Sequence, residues 1–242
     1  MSIPVVIGDA ILYHGDALEI LPVLAGVARC VVSDVPYRLT AGGCSRALKG
    51  CLSVDEGYVN DGQIIPCDLT FDDFMPLVFA ACAEDADAYF MADARNIGNL
   101  MSAALRVGFA HHNVLVWDKC SVTPNRWYMK GCEFVAYVFK GRARTINDPS
   151  AAQILRCPNP VGVKVHPTQK PVGLMAEYIR QSTDPGDVIL DPFMGSGTTG
   201  VAAIQAGRRF IGIEIHDGYF QAAVSRVAAA RRQGDLFSEV AE

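Results

Sequence analysis

An acid, a proline and an aromatic ring follow a short apolar run near the start of the chain, in the stretch Ser33-Asp34-Val35-Pro36-Tyr37. Asp34 supplies a carboxylate that can accept hydrogen bonds, and Pro36 restricts the residue before it to extended backbone conformations. Tyr37 adds a ring that can stack on a planar ligand. A turn could use the same residues, so the rest of the chain must decide whether they carry chemistry.

A glycine-rich turn follows a second apolar run, in segment 188–200, whose sequence is VILDPFMGSGTTG. A buried strand that ends in such a turn and opens a helix lets backbone N–H groups approach a ligand closely. The next predicted strand ends at Glu214, 19 residues after Gly195. An acid at that place can accept hydrogen bonds from two ribose hydroxyls, so the segment predicts a site for an adenosine-type cofactor.

The same turn leaves two alternatives open. Gly195, Gly197 and Gly200 satisfy the pattern GxGxxG, which also occurs in nicotinamide and flavin dinucleotide sites. A dinucleotide-dependent oxidoreductase is therefore one alternative, and a turn that only connects a strand to a helix is the other.

Short apolar runs alternate with stretches of helical period, which predicts an α/β fold with a mostly parallel sheet and helices on both faces. The predicted strands are 10–14, 30–33, 88–91, 113–117, 133–139, 188–190 and 209–213. The predicted helices are 17–24, 71–83, 97–107, 171–182, 198–206 and 217–232. Two segments with little periodicity, 38–68 and 141–165, are predicted to be long loops, and loops of that length are usually functional.

The basic residues are concentrated in one segment, 119–170, which holds nine lysines and arginines and two acids, although the whole chain has a formal net charge of −5. This distribution is typical of a localised site for a polyanion, and a solvated loop would give the same charges. No leader-like segment or membrane-length apolar run is present, so we expect a cytoplasmic protein. No metal site is expected, because the eight cysteines are scattered and the adjacent His111 and His112 would point to opposite faces of a strand.

Four features together resemble the DNA amino-methyltransferases that use S-adenosylmethionine. They are the DVPY stretch at 34–37, the phrase HPTQKP at 166–171, the glycine turn and Glu214. The motif order, with DVPY first and the glycine turn near the C-terminus, is similar to the β-permuted group of that family. The resemblance implies a class I methyltransferase fold, with a Rossmann-like sheet of seven mostly parallel strands. It also implies one domain, 1–242, with a loop insertion at 38–68 and a short target-recognition insertion at 142–165.

The resemblance also implies which residues contact S-adenosylmethionine. Asp16 matches an acid near the adenine, Glu214 matches the ribose acid, and Thr168 and Lys170 match residues near the cofactor carboxylate. The full set of implied cofactor contacts is Asp16, Ala17, Thr168, Lys170, Asp191, Phe193, Gly195, Ser196, Gly197, Thr198 and Glu214.

For the DVPY stretch the resemblance implies a catalytic clamp made of Asp34, Val35, Pro36 and Tyr37. An exocyclic amino group is a poor nucleophile, because its lone pair is delocalised into the base. The Asp34 carboxylate and the Val35 carbonyl would hold its two hydrogens, Pro36 would aim that carbonyl, and Tyr37 would stack on a flipped base. Val35 stands where the family usually has proline, so φ is no longer fixed there. A catalytically impaired DNA-binding relic is therefore an alternative.

The first residue of the motif bears on the target base. In the family a leading Asp usually accompanies methylation of adenine N6, and a leading Ser usually accompanies methylation of cytosine N4. Ser33 lies one place too early to be that residue, so we expect adenine, with cytosine N4 as the alternative.

Double-stranded DNA is the partner that the resemblance implies. The candidate DNA contacts share a positive charge and are Arg38, Arg46, Lys49, Arg126, Arg142, Arg144 and Arg156, although a solvated surface would also account for any one of them. The tail Gln233-Gly234-Asp235-Leu236-Phe237 resembles the QxxLF peptides that dock on bacterial sliding clamps, and local packing after a glycine-terminated helix is the alternative. A homodimer is a further expectation.

Overall fold

A computed structural model describes residues 3–37, 69–124, 128–159 and 169–239. The strands are β1 (Val5–Ile7), β2 (Ala10–His14), β3 (Ala28–Asp34), β4 (Cys82–Ala92), β5 (Ala110–Thr123), β6 (Lys130–Lys140), β7 (Ile154–Arg156), β8 (Val188–Asp191) and β9 (Arg209–Glu214). The helices are α1 (Ala17–Ile20), which a 3₁₀ helix (Leu21–Leu24) extends, α2 (Phe71–Ala81), α3 (Ile97–Val107), α4 (Val172–Ser182), α5 (Thr198–Gln205) and α6 (Asp217–Glu239).

The strands of the described residues form one sheet in the order β1-β2-β9-β8-β3-β4-β6-β5-β7. Strands β2, β9, β8, β3 and β4 run parallel to one another, and β6 runs antiparallel to both β4 and β5. The predicted mostly parallel α/β fold is confirmed, but this sheet has nine strands and not seven. The missed strands β1 and β7 are three residues each at the two edges, too short to show a periodic pattern.

The centre of the sheet is buried on both faces. In β3, the side chains of Cys30, Val31 and Val32 are fully buried, as expected for a parallel strand between two helical layers. Helices α4, α5 and α6 pack on one face, around Tyr178 and Phe220, and contribute to one hydrophobic core. Helices α1, α2 and α3 contribute to a second core on the other face.

Parallel pairing brings several polar strand ends to one edge of the sheet. Asp34 pairs with Met91 near the end of β4, Asp191 pairs with Gly212 of β9, and Glu214 pairs with His14 at the end of β2. The carboxyl ends of five neighbouring strands therefore meet at what we call the carboxyl edge. Ligands bind at this edge in open α/β sheets, so the backbone topology alone places the candidate residues where a ligand would bind.

Two predicted boundaries were wrong. Helix α6 continues through Gly234 to Glu239, so the segment resembling a clamp-binding peptide lies within a helix and not after one. Strand β5 begins at Ala110 and includes both histidines, and the His112 ring stacks on Tyr137 with 4.5 Å between ring centroids. His112 thus packs against its neighbouring strand.

No helix of the described residues is both long enough and apolar enough to cross a membrane. No group of three or more His, Cys, Asp or Glu side chains among them could hold a metal ion.

Close packing of α5 against the sheet depends on Gly200 in the first turn of that helix. A Cβ atom there would lie 2.6 Å from Cε1 of Phe210 and 3.0 Å from Cγ2 of Val227. We expect Gly200→Ala to lower the free energy of unfolding by about 1–3 kcal/mol, because the added methyl group overpacks the core. Urea denaturation measures the change.

Gly173→Ala is the matched control, because Gly173 lies in the first turn of α4 and a Cβ there would meet nothing within 4 Å. It should leave the free energy of unfolding unchanged or raise it by up to about 1 kcal/mol. Equal destabilisation by the two substitutions would contradict the packing role of Gly200.

Candidate active site

The Asp34 carboxylate ends β3 and is held by a buried cation. Its Oδ2 lies 2.8 Å from Nζ of Lys170, which comes two residues before the start of α4. The Lys170 residue is only 8% exposed, whereas 26% of the Asp34 side chain is exposed. The cation thus approaches from inside the protein, and part of the carboxylate remains accessible from solvent.

Lys170 contacts a second acid on the neighbouring antiparallel strand. Its Nζ lies 3.1 Å from Oε2 of Glu133 on β6, and Nζ of Lys119 on β5 lies 2.6 Å from Oε1 of the same acid. Both ammonium groups lie over the ring of Trp117, at 5.9 Å for Lys170 and 5.1 Å for Lys119. We call Asp34, Lys170, Glu133 and Lys119 the charge chain, since acid and base alternate along it.

Burial and pairing set the charges in this chain. Burial raises the pKa of Asp34 above its ordinary value, and the Lys170 ammonium opposes that rise. For Glu133, burial also acts to raise the pKa, but Lys170 and Lys119 outweigh it and the pKa is lowered. Burial would lower the pKa of Lys170, yet its two carboxylate partners raise it instead. Lys170 is therefore a cation and Glu133 an anion at neutral pH.

The rest of the DVPY stretch is anchored in the second core. The side chain of Val35 is 2% exposed and belongs to that core, so packing restrains the residue that lacks a proline ring. Tyr37 packs against the same core and borders a cavity of about 380 Å³ between the start of α2 and helix α3. Burial raises the pKa of Tyr37, so its hydroxyl stays protonated at neutral pH.

The glycine turn between β8 and α5 requires left-handed backbone at two positions. Gly195 has φ 51° and Gly197 has φ 77°, a region that side chains disfavour. Arg226 of α6 braces the turn, because its Nη1 donates to the carbonyl oxygen of Ser196 at 2.6 Å, to the Ser196 hydroxyl at 2.8 Å and to the Thr198 hydroxyl at 3.3 Å. Ser196 and Thr198 are buried beside it.

Asp191 joins β8 to β3 inside the site. The hydroxyl of Ser33 donates to Oδ1 of Asp191 at 2.7 Å, and the backbone N–H of Phe193 donates to the same oxygen at 3.1 Å. Burial raises the pKa of Asp191 to about 6, although these hydrogen bonds and one from Thr199 oppose the rise. Ser33, which cannot be the first residue of the motif, thus has a positioning role.

Two further acids flank the turn. Oε1 of Glu214 accepts a hydrogen bond from the N–H of His216 at 2.7 Å, and burial raises the pKa of Glu214. Oδ1 of Asp16 accepts the N–H of Leu18 at 2.8 Å and so caps α1. Ala17, the first residue of α1, is buried. A left-handed glycine turn beside an acid at the next strand end fits an adenosine-type cofactor, with the Glu214 carboxylate available to ribose hydroxyls.

The predicted site residues divide by location. The carboxyl edge brings together Asp16, Ala17, Asp34, Val35, Pro36, Tyr37, Lys170, Asp191, Phe193, Gly195, Ser196, Gly197, Thr198 and Glu214. Lys170 was expected near the cofactor carboxylate, whereas its ammonium lies on Asp34. The role at the cofactor stays a prediction.

The basic candidates for DNA contact are not together. Arg156 ends β7 beside Asp118 at the carboxyl edge, and its side chain is 80% exposed. Arg142 and Arg144 lie at the opposite edge, where they pair at 3.0 Å with Asp85 and Asp184. The remaining predicted DNA contacts, Arg38, Arg46, Lys49 and Arg126, lie outside the described residues, as does Thr168, which was predicted to contact the cofactor.

Four residues at the site were missed by the sequence reasoning: Lys119, Glu133, Trp117 and Arg226. Glu133 had a signal, because it is one of two acids in the basic segment and begins the otherwise apolar predicted strand 133–139. For Arg226 no pattern on its helix identifies the turn that it braces.

The fold and the site define a class I methyltransferase type of protein. One sheet edge holds a glycine turn, an acid placed to bind ribose, and the DVPY stretch.

Comparison with known proteins identifies the family within this class. The profile of the DNA methylase family matches residues 138–225. Type II methyltransferase M2.DpnII of Streptococcus pneumoniae is 30% identical over 241 residues, which cover 90% of each chain. Type II methyltransferase M2.LlaDCHI of Lactococcus lactis subsp. cremoris is 29% identical over 243 residues, covering 90% of this chain and 89% of the relative. The chain belongs to the N6/N4 DNA methylase family.

Solved structures agree with this assignment. The crystal structure of the M1.HpyAVI-SAM complex is similar with a TM-score of 0.68 and 27% identity, covering 90% of this chain and 99% of that chain. The cytosine-N4-specific PvuII DNA methyltransferase, at 20% identity and a TM-score of 0.69, covers 90% of this chain and 86% of that one and supports the fold alone. The protein is an S-adenosylmethionine-dependent DNA methyltransferase, so the oxidoreductase alternative was wrong.

Asp191 should make stability depend on pH in a defined window. Folding raises its pKa from 3.8 to about 6, so the folded protein binds more protons than the unfolded chain between these values. Its contribution to the free energy of unfolding therefore falls as pH rises through the window, by on the order of 3 kcal/mol. Asp191→Asn keeps an acceptor oxygen and should remove this contribution.

Urea denaturation from pH 4 to pH 7 tests this expectation. The stability of the wild-type protein relative to Asp191→Asn should decline across the window. A difference between the two proteins that stays constant with pH would show that Asp191 does not titrate there.

Proposed function

We propose that the protein methylates N6 of adenine in double-stranded DNA. The observation that carries the proposal is the Asp34 carboxylate at the end of β3, which pairs with Lys170 and is partly exposed at the carboxyl edge. In the family, aspartate at the first motif position usually accompanies adenine. Methylation of cytosine N4 is the alternative within the same family.

The chain's own groups would prepare the amino nitrogen for attack. The Asp34 carboxylate accepts one N–H of the target amino group, and the Val35 carbonyl accepts the other. Acceptors fixed in advance favour a pyramidal nitrogen whose lone pair is free to react. The packed Val35 side chain limits movement of that carbonyl, which supports an active enzyme over an impaired relic.

Tyr37 would stack on the flipped base beside the cavity that it borders. S-adenosylmethionine, when bound, supplies an electrophilic methyl group on a sulfonium centre. Glu214 would hold its ribose hydroxyls, and the turn at Gly195 and Gly197 would enclose its methionine part. Asp16 would lie near its adenine.

DNA binding would involve Arg156, because that side chain is exposed at the same edge as Asp34. The segments that contain Arg38, Arg46, Lys49 and Arg126 would contribute further phosphate contacts. Arg142 and Arg144 already pair with acids at the opposite edge, which makes them weaker candidates.

The sequence and the similar proteins support proposals on the domain, the biological role and the partners. One domain would span 1–242, with target recognition in the insertion 142–165. The relatives are Type II methyltransferases, which supports a role in restriction-modification in the cytoplasm. A homodimer and docking of Gln233–Phe237 on a sliding clamp are further proposals.

Digestion of methylated DNA to nucleosides tests the proposed base. The protein is incubated with S-adenosylmethionine labelled in the methyl group and with unmethylated duplex DNA. N6-methyladenine is expected. N4-methylcytosine in its place would overturn the proposed base, and no labelled nucleoside at all would support the impaired relic.

Asp34→Asn should reduce the rate of methyl transfer by about 10²–10³, since the amide replaces an anionic acceptor at the reacting nitrogen. Affinity for S-adenosylmethionine should stay within about threefold, because Asp34 lies outside the glycine turn. Single-turnover kinetics and calorimetric titration measure the two effects.

Asp184→Asn is the control, because it removes an acid that pairs with an arginine at the opposite edge. It should leave the rate unchanged. An Asp34→Asn protein with the wild-type rate would rule out the clamp.

A further inference from the structure

We propose that Glu133 is a positioning residue for methyl transfer, which acts by sharing the Lys170 ammonium so that the groups around Asp34 keep a net negative charge and Asp34 keeps an oxygen for the target amine. The inference rests on the proposed clamp at Asp34 and adds a residue outside the DVPY stretch and the glycine turn.

The geometry of Lys170 supports this role. Its Nζ lies between two carboxylates, 2.8 Å from Asp34 and 3.1 Å from Glu133, in a position that is almost fully buried. A buried ammonium beside a single carboxylate would form a neutral ion pair with it. With two acids in contact, the cation is divided between them, and Glu133 is held in turn by Lys119.

The net charge of the groups around Asp34 affects the reaction. Asp34, Lys170 and Glu133 together carry one negative charge, whereas Asp34 and Lys170 alone would be neutral. The more exposed Lys119 is screened by solvent more strongly than Lys170. Glu133 therefore keeps the innermost part of the charge chain anionic.

Methyl transfer creates positive charge next to this chain. The lone pair of the amino nitrogen forms the new bond to the methyl carbon, and the carbon–sulfur bond breaks with its electron pair remaining on sulfur. The nitrogen then carries a positive charge until one of its protons leaves to Asp34 or to water. The net negative charge of Asp34, Lys170 and Glu133 stabilises the transition state that leads to this cation, and a neutral pair of Asp34 and Lys170 would do so less.

Glu133→Gln tests the role with little change of shape. The amide of this variant would keep one acceptor oxygen but carry no charge. We expect kcat to fall about 10-fold to 100-fold, while KM for S-adenosylmethionine stays within about threefold. Glu133→Asp restores the charge and should recover part of the rate.

The pH dependence gives a readout that a purely structural role would not move. The charged groups that act on Asp34 are Lys170, Glu133 and Lys119, Asp191 also interacts with it electrostatically, and Tyr37 lies beside it as a neutral phenol. Glu133 repels the Asp34 carboxylate, so Glu133→Gln should shift the acidic limb of the pH–rate profile to lower pH. Lys170→Met removes an attraction and should shift that limb to higher pH.

Titration of the Asp34 carboxyl carbon by ¹³C NMR measures the same shifts without DNA. Glu177→Gln is the matched control, because Glu177 pairs with Arg180 at 3.2 Å within α4. This control should change neither the rate nor the Asp34 titration.

The outcomes separate this inference from the proposed function. An active wild-type protein whose Glu133→Gln variant has the same rate and the same acidic limb overturns the role of Glu133 alone. A rate loss that appears only together with loss of cofactor binding and of cooperative unfolding also overturns it, because Glu133 is then structural. A wild-type protein that methylates no DNA contradicts the proposed function, whatever the NMR titration gives.

Discussion

A buried ammonium in contact with two carboxylates is the interaction on which the site depends. Lys170 connects the end of β3, through Asp34, to β6 of the antiparallel hairpin, through Glu133. Removing one partner of such a buried pair typically costs about 3–5 kcal/mol, because the remaining charge loses its compensation. The position of Lys170 before α4 thus ties the helical layer, the parallel strands and the hairpin to one point. That point is the proposed catalytic carboxylate.

The acids at the carboxyl edge have different properties because their surroundings differ. Asp34 faces a cation that opposes the rise in pKa caused by burial, whereas Asp191 is surrounded by hydroxyl and amide donors and has a pKa of about 6. Glu214 lies beside the glycine turn and accepts a backbone N–H, and Asp16 caps a helix. Parallel topology brings four similar side chains together, and local burial then assigns each of them a separate task.

Much of this arrangement could be predicted from the sequence, because the relevant residues directly follow apolar strands. Asp34, Asp191 and Glu214 end strands whose continuous apolar runs show that they are buried on both faces. The partners of these acids could not be predicted in the same way. Glu133 and Arg226 reach the site through side chains from other elements, and no local pattern encodes that contact.

The basic segment shows the same limit in another form. Arg142, Arg144 and Arg156 are close in the sequence and equal in charge, yet only Arg156 lies at the carboxyl edge. The antiparallel direction of β6 carries the chain away from that edge before Arg142, and β7 returns it. The number of charges along the chain does not show this reversal of direction. It therefore predicted one basic surface, whereas the structure places these arginines at two opposite edges of the sheet.

A crystal structure of the protein with an unreactive analogue of S-adenosylmethionine and an adenine-containing duplex would test the central claim most directly. The adenine N6 atom should lie about 3 Å from a carboxylate oxygen of Asp34, with the Lys170 ammonium still between Asp34 and Glu133. A flipped adenine whose amino group contacts neither Asp34 nor the Val35 carbonyl would contradict it. So would a Lys170 side chain that has left both acids for the cofactor carboxylate.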